Sequence, residues 1–351
     1  MRKYRREPRN LQHFVEIYHS GKRGKPLFDL DEKVRDEISG GKRGLQERVR
    51  DVVHSLFDII TTPKDPKPSD GKGFQIFFPL TEARPAGEFV RGALHVLAPK
   101  AKVTFLVTPK VAGKDYITEG EQEILEEHVK KSLHPDTKHV RIADWVRQRR
   151  TIEMINQALE KTGFKGTVEP NHGYVHPYTL PGERFFFQDT DGQYVYMGNT
   201  ESYLSWFNFF YGRNVRGGKT SSGERWMNDG DFLNWLKKTD QRVEKDAERF
   251  VPKTHLNYPI YASISGNHAE FSENVRRMRE IIFGPDDPRA KSDHLTRNDL
   301  AEVKRMLLNG ELDSKIRELK RKNNAHRRYL YHLGIATAKS YLEMQRKQQA
   351  K

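Results

Sequence analysis

Three short stretches of this chain carry residue types able to ligate metal ions: Asp189-Thr190-Asp191, Gly230-Asp231 and Gly266-Asn267-His268. Carboxylate, amide and imidazole groups can together hold two divalent ions, which activate a water for attack on phosphorus. Asp189, Asp231, Asn267 and His268 are therefore the candidate catalytic residues, with Mg or Mn as cofactor only if this chemistry holds. The plain competing reading is that Asp231 and Asn267 cap helices. A different chemistry lies between these stretches. Tyr211, Arg213, Arg216, Lys219, Arg225 and Trp226 interleave cations and aromatic rings around Gly217 and Gly218. Aromatic faces stack unpaired bases at roughly 1–3 kcal/mol each, and neighbouring Lys and Arg neutralise the backbone. With Lys320, Arg321, Lys322, Arg327 and Arg328 they form the candidate nucleic-acid-binding set.

Three family resemblances rest on these residues, each confined to a fragment. The metal-ligand order resembles that of the calcineurin-like metallophosphoesterases, which implies metal-dependent hydrolysis of phosphoesters. The chain departs from that pattern: the first motif has no histidine, no strand signal precedes Gly230, and no closing GHxH occurs. The loop GRNVRGGKT resembles a phosphate-binding P-loop, but five residues separate Gly212 from Gly218, one more than the motif has. The run Gly182-Glu183-Arg184-Phe185, a hairpin and then Tyr196-Met197-Gly198 resemble the two-strand opening of the GIY-YIG nucleases. Where that family carries its catalytic arginine, this sequence has Trp206. The histidines give no metal site. His172 and His176 are four apart, but Gly173 and Pro177 oppose the helix that would bring both to one ion, and His134 and His139 flank a Pro-Asp turn.

Charge placement points the same way as the basic loop. Residues 1–50 carry 14 Lys and Arg against 8 Asp and Glu, and residues 315–351 carry 11 against 2, so the formal +14 sits at the two ends of a near-neutral body. That is the footprint of a polyanion-binding protein, with solvated tails as the plain alternative. The chain has no cysteine, which excludes a disulfide framework and thiolate metal sites. It shows no signal-peptide core and no apolar run of membrane-spanning length. A mean hydropathy of −0.84 is low, yet 11% aromatic content argues for a folded core rather than disorder. The expectation is a soluble, non-secreted protein of the cytoplasm, nucleus or a virion.

These candidate residues need elements to position them. Leu45, Val49, Val52 and Leu56 recur at helical spacing, after a short helix at 12–18 and a polar stretch ending at Gly40-Gly41. Prolines and glycines at 61–73 mark a loop. Strands are expected at 74–78, 93–97 and 103–108, and helices at 119–133 and 142–161. An aromatic hairpin with an Asp-Gly turn is expected at 184–197. A helix at 231–250, a strand at 260–265 and a helix at 269–283 follow, then a helix to Leu308 and a long basic helix at 313–341. The chain thus reads as mixed α/β or α+β, a neutral body with an aromatic β-rich centre and a basic, mostly helical C-terminal region. The expected divisions are a basic arm and helical region at 1–62, an α/β lobe at 63–165, an aromatic α+β lobe at 166–285 and a basic helical region at 286–351. The function these features favour is binding of DNA or RNA with weak sequence preference, in replication, packaging or ribonucleoprotein assembly. A metal-dependent nuclease is the alternative. A virion or other structural protein, a homo-oligomer or larger assembly contacting a genome through its basic ends, is the third reading.

Overall fold

The computed structural model describes residues 6–19, 32–62, 64–65, 67–79, 84–106, 119–143, 150–169, 186–188, 194–196, 206, 210, 280, 282–291, 302, 305–306 and 308–350. Its centre is a strand that the sequence writes almost without polar residues. β1 (Phe74–Pro79) is buried along its whole length, as expected for a parallel strand covered on both faces. It pairs in parallel with β2 (Lys102–Leu106) on one side and β3 (His139–Ile142) on the other, and β3 pairs in parallel with β4 (Thr167–Glu169). The strand order is β2-β1-β3-β4. The helices α4 (Arg84–Leu97), α5 (Glu119–Ser132) and α6 (Arg150–Lys161) connect successive strands. This is a doubly wound α/β arrangement, with the order reversing between β1 and β3.

Strand alternation assigns the two faces. Phe74, Ile76 and Phe78 join one apolar cluster with Phe89, Val90, Ala93 and Leu94 of α4. Phe77, Leu106, Val140 and Ile142 join another with Leu125 and Val129 of α5 and Ile155, Ala158 and Leu159 of α6. The single polar residue inside β1, Gln75, uses its whole amide. Its Nε2 donates to Thr104 Oγ1 (2.8 Å) and the Ser132 carbonyl (2.7 Å), and its Oε1 accepts from His134 N (2.9 Å) and Thr137 Oγ1 (2.7 Å). A satisfied buried amide costs little and here ties the end of α5 to the strands.

Over the α4 face lie three N-terminal helices, α1 (Leu11–Tyr18), α2 (Glu32–Ser39) and α3 (Arg43–Asp58). Asn10 caps α1, its Oδ1 accepting from His13 N at 3.0 Å. Arg141 of β3 is 4% exposed and donates to the Asp58 carbonyl (3.2 Å) and the Thr61 carbonyl, so a cation answers the carbonyl end of α3. An antiparallel pair follows in the sequence, β5 (Phe186–Gln188) with β6 (Tyr194–Tyr196). A short helix, α7 (Pro288–Lys291), comes next. The last element is α8 (Asp313–Gln349), 37 residues long.

α8 crosses α4 at a point where both helices have glycine. A Cβ on Gly92 would sit 1.9 Å from the Tyr331 carbonyl oxygen, and one on Gly334 would sit 2.1 Å from the Phe89 carbonyl oxygen. Backbone therefore meets backbone, with no room for any side chain. Farther along, Gly87 lets α4 settle onto Phe78 and Phe105, since its Cβ would come within 2.8 Å of one ring and 2.5 Å of the other.

The mixed α/β reading agrees with the helices and the small parallel sheet. Four local expectations are corrected. The apolar run at 93–97 is the end of α4, not a strand. Buried Ala86, Phe89, Val90, Ala93 and Leu94 show the helical spacing that those five residues alone conceal. Residues 139–142 form β3, so the helix expected from 142 begins only at Arg150. The polar stretch before Gly40 contains α2, whose buried apolar positions are only Val34 and Ile38. The last helix runs to Gln349 rather than 341. The expected elements at 231–250 and 260–265, and most of 269–283, lie outside the described residues.

Alanine at Gly92 or Gly334 should lower stability by about 3 kcal/mol or more, because the crossing must open to admit a methyl group. Gly44→Ala is the matched control: its added Cβ meets nothing within 4 Å, so it should be neutral or stabilising by up to about 1 kcal/mol. Urea unfolding midpoints compare the three directly.

Candidate nucleic-acid interface

α8 is two helices in composition and one in backbone. Its first sixteen residues, 313–328, hold Lys315, Arg317, Lys320, Arg321, Lys322, Arg327 and Arg328 against Asp313 and Glu318. From Tyr329 onward the character changes. Tyr329, Leu330, Leu333, Ile335, Ala336, Thr337 and Ala338 are all buried. The basic half occupies the N-terminal end, where the helix dipole favours anions, and it places Arg317 and Arg321 at a like-charged i,i+4 spacing. Helix stability alone would choose the opposite arrangement. Arg317 and Arg328 are exposed, while Lys315 Nζ donates to the Ile282 carbonyl at 3.0 Å.

The buried half is fixed by hydrogen bonds as well as packing. The Trp206 indole N–H donates to Thr337 Oγ1 (2.9 Å), and that hydroxyl donates to the Leu333 carbonyl (2.8 Å). His19 Nε2 meets the Tyr329 hydroxyl at 3.0 Å, and the hydroxyl donates to the Phe210 carbonyl at 3.5 Å. Complete burial pushes the Tyr329 phenol well above its ordinary range. The Tyr18 hydroxyl lies 2.8 Å from His332 Nδ1. Phe14 packs among Tyr18, Phe210 and Tyr329 with centroid separations of 4.9, 5.7 and 5.0 Å.

These contacts lay α1 antiparallel along α8. At one end Leu11 N donates to Ser340 Oγ (3.0 Å), Asn10 Nδ2 reaches Glu343 (3.4 Å) and Lys339 Nζ donates to the Pro8 carbonyl (3.2 Å). At the other, Tyr18 and His19 meet His332 and Tyr329, directly after Arg328. In the sequence, Lys22, Arg23 and Lys25 follow His19 within six residues. Exposed Arg6 and Arg9 precede α1 at its other end.

Of the residues singled out from the sequence, Lys320, Arg321, Lys322, Arg327 and Arg328 lie in the basic half of α8. Tyr211, Arg213, Arg216, Lys219, Arg225 and Trp226 lie outside the described residues, as do Asp189, Asp231, Asn267 and His268. Among the described residues no group of three or more His, Asp or Glu side chains is placed to hold a metal ion, and no helix is long and apolar enough to cross a membrane. Trp206 is 1% exposed, a core side chain. The segments leaving the carboxyl ends of β1, β2 and β3, at 80–83, 107–118 and 144–149, are outside the described residues. What the sequence reading missed is the anchoring of the basic helix. The signal was present in Leu330, Leu333 and the small residues Gly334, Ala336 and Ala338, a packing seam rather than a tail.

No family model matches the chain, and no curated protein or solved structure matches it either.

Burial, with Arg328 and Lys339 nearby, lowers the His332 imidazole to about 4, from an ordinary 6.5, and Glu7 opposes this only in part. The folded state thus holds His332 neutral where the unfolded chain takes up a proton. Stability from this group is complete above pH 6.5 and is lost as pH falls towards 4. Between those values unfolding should take up close to one proton at this site, a slope of about 1 kcal/mol per pH unit. In His332→Gln the slope of unfolding free energy between pH 6.5 and 5 should flatten, as urea titrations at each pH would show.

Proposed function

We propose that the protein binds single- or double-stranded nucleic acid with weak sequence preference, through the basic half of α8 and the basic stretches that flank α1. The observation that carries this reading is the division of α8. Seven cations occupy sixteen residues of a helix whose next ten residues, 329–338, are mostly buried, so the basic stretch continues directly from an anchored one. Sixteen helical residues span about 24 Å, the length of roughly seven phosphate steps along one strand. A helix held by its own second half loses little conformational freedom on binding.

Ending the chain before α8 would not test this, because it would also remove Tyr329, Leu330 and Leu333 from the core. Charge removal in the basic half is the better probe. The variant Lys320→Gln/Arg321→Gln/Lys322→Gln should melt within a few degrees of the parent. Its affinity for a fluorescent oligonucleotide at low salt should fall by about tenfold or more, and its plot of log affinity against log salt should lose about two to three units of slope. Anisotropy with single- and double-stranded DNA and RNA measures both. Absence of binding at low salt, or binding that this variant leaves untouched, would overturn the proposal. Cleavage of the probe when Mg or Mn is added would instead favour a nuclease.

A further inference from the structure

A groove of about 430 Å³ runs along β2, which is the edge strand of the described sheet. Arg91 and His95 line it from α4, Lys102 and Thr104 from β2, His134 from beyond α5 and Tyr331 from α8. No carboxylate is among its described lining residues. Glu7 approaches from the rim, 3.7 Å from His95 Nε2, and Asp136 stands 3.8 Å from His134 Nδ1. We propose that this groove is a phosphate-binding site, holding a phosphate monoester or diester.

Arg91 is the reason. Its guanidinium forms an ion pair with Glu88 at 2.6 Å, and it stands over the rings of Phe105 (5.7 Å) and Tyr331 (5.1 Å). The Glu88 side chain is 1% exposed, whereas Arg91 keeps 46% of its side chain open. A carboxylate has thus been taken out of water beside a cation that still faces solvent. Such burial gains little stability by itself, but together with the Phe105 and Tyr331 rings it narrows the positions open to the guanidinium. A guanidinium so restricted meets a phosphate with less entropy to lose than a free side chain.

Lys102 supplies the second charge. It is exposed and has no ion-pair partner among the described residues, unlike the nearby Lys100, which Asp70 holds at 2.5 Å. The side chain of His134 is 43% exposed at the groove's other wall. Leu94 and Val103 add an aliphatic surface suited to the carbon skeleton of an ester rather than to a fully hydrated ion. Tyr331 follows Arg328 by three positions in α8, so the groove begins within one turn of the basic half. The inference rests on the nucleic-acid reading only for the source of the phosphate, a bound strand or a free nucleotide.

The test uses the full chain at constant ionic strength, with calorimetric titration of inorganic phosphate, a 5′-mononucleotide and a short single-stranded oligonucleotide. Phosphate and mononucleotide should both bind below about 10 mM. Arg91→Gln should weaken them by about tenfold and Lys102→Gln by several-fold. Because Arg91→Gln removes a cation from beside buried Glu88 and can cost stability, the exposed Lys102→Gln, with a melting curve, is the second variant. The Lys320→Gln/Arg321→Gln/Lys322→Gln protein should bind mononucleotide as the parent does. Failure of phosphate and mononucleotide to bind, or equal binding by both groove variants, overturns the proposal. Mononucleotide binding without oligonucleotide binding supports the groove while removing the strand as its source. Oligonucleotide binding by the parent that both groove variants leave unchanged, with no binding of phosphate or mononucleotide, overturns the groove and leaves the broader reading intact.

Discussion

The crossing of α4 and α8 at Gly92 and Gly334 is the contact on which the rest of the structure depends. Most helix pairs meet through side chains at 8–10 Å between axes. Here each helix lays a carbonyl where the other would need a Cβ, so the two backbones share one surface. α4 is also the helix that covers β1 and β2, with Gly87 seated on the rings of Phe78 and Phe105. The sheet therefore fixes α4, α4 fixes α8, and α8 in turn provides the wall for α1 and for Trp206. Widening the crossing by one methyl group would be felt at every layer, because a close-packed interior passes strain on rather than absorbing it.

The same chain of contacts explains how so charged a helix is tolerated. Seven like charges in sixteen residues would fray as a free peptide, where helices of this length are marginal even without repulsion. Continuity with a buried stretch removes the cost of nucleation, and the Trp206–Thr337 and His19–Tyr329 hydrogen bonds lock that stretch in rotation as well as position. The orientation of the basic half thus follows from the core. The arrangement at Arg91 uses the same logic on a smaller scale, with a buried Glu88 and the Phe105 and Tyr331 rings narrowing the positions of an open guanidinium.

How much of this could be read from the sequence depended on how locally each feature is encoded. Strand β1, helix α3 and the β5–β6 hairpin carry their own periodicity or turn chemistry, and they are found where the residues say. The Ala93-Leu-His-Val-Leu97 run was ambiguous because five apolar-rich residues fit either period, and only the preceding Phe89 and Val90 decide it. Helix α2 offers two apolar positions, too few for a pattern. The site was less legible than the fold. The positive charge of α8 is plain in the sequence, but the partner that buries its second half lies about 240 positions away in α4. A glycine at position 92 or 334 does not announce that it faces another glycine. Arg91 drew no attention for the same reason, since its neighbours Glu88, Phe105 and Tyr331 come from three separate elements.

The pairing of α1 with α8 also has a meaning in time. Asn10 meets Glu343 and Tyr18 meets His332, contacts that bridge 333 and 314 positions. A chain emerging from the ribosome would complete α1, the sheet and α4 long before residues 329–344 exist. At roughly 5–20 residues per second, the glycine-lined face of α4 and the aromatic side of α1 would stay uncovered for on the order of tens of seconds. Closure of the core is then a late, long-range event of the kind that makes folding slow. Until it happens, the nascent chain exposes the surface that other hydrophobic segments would most readily occupy.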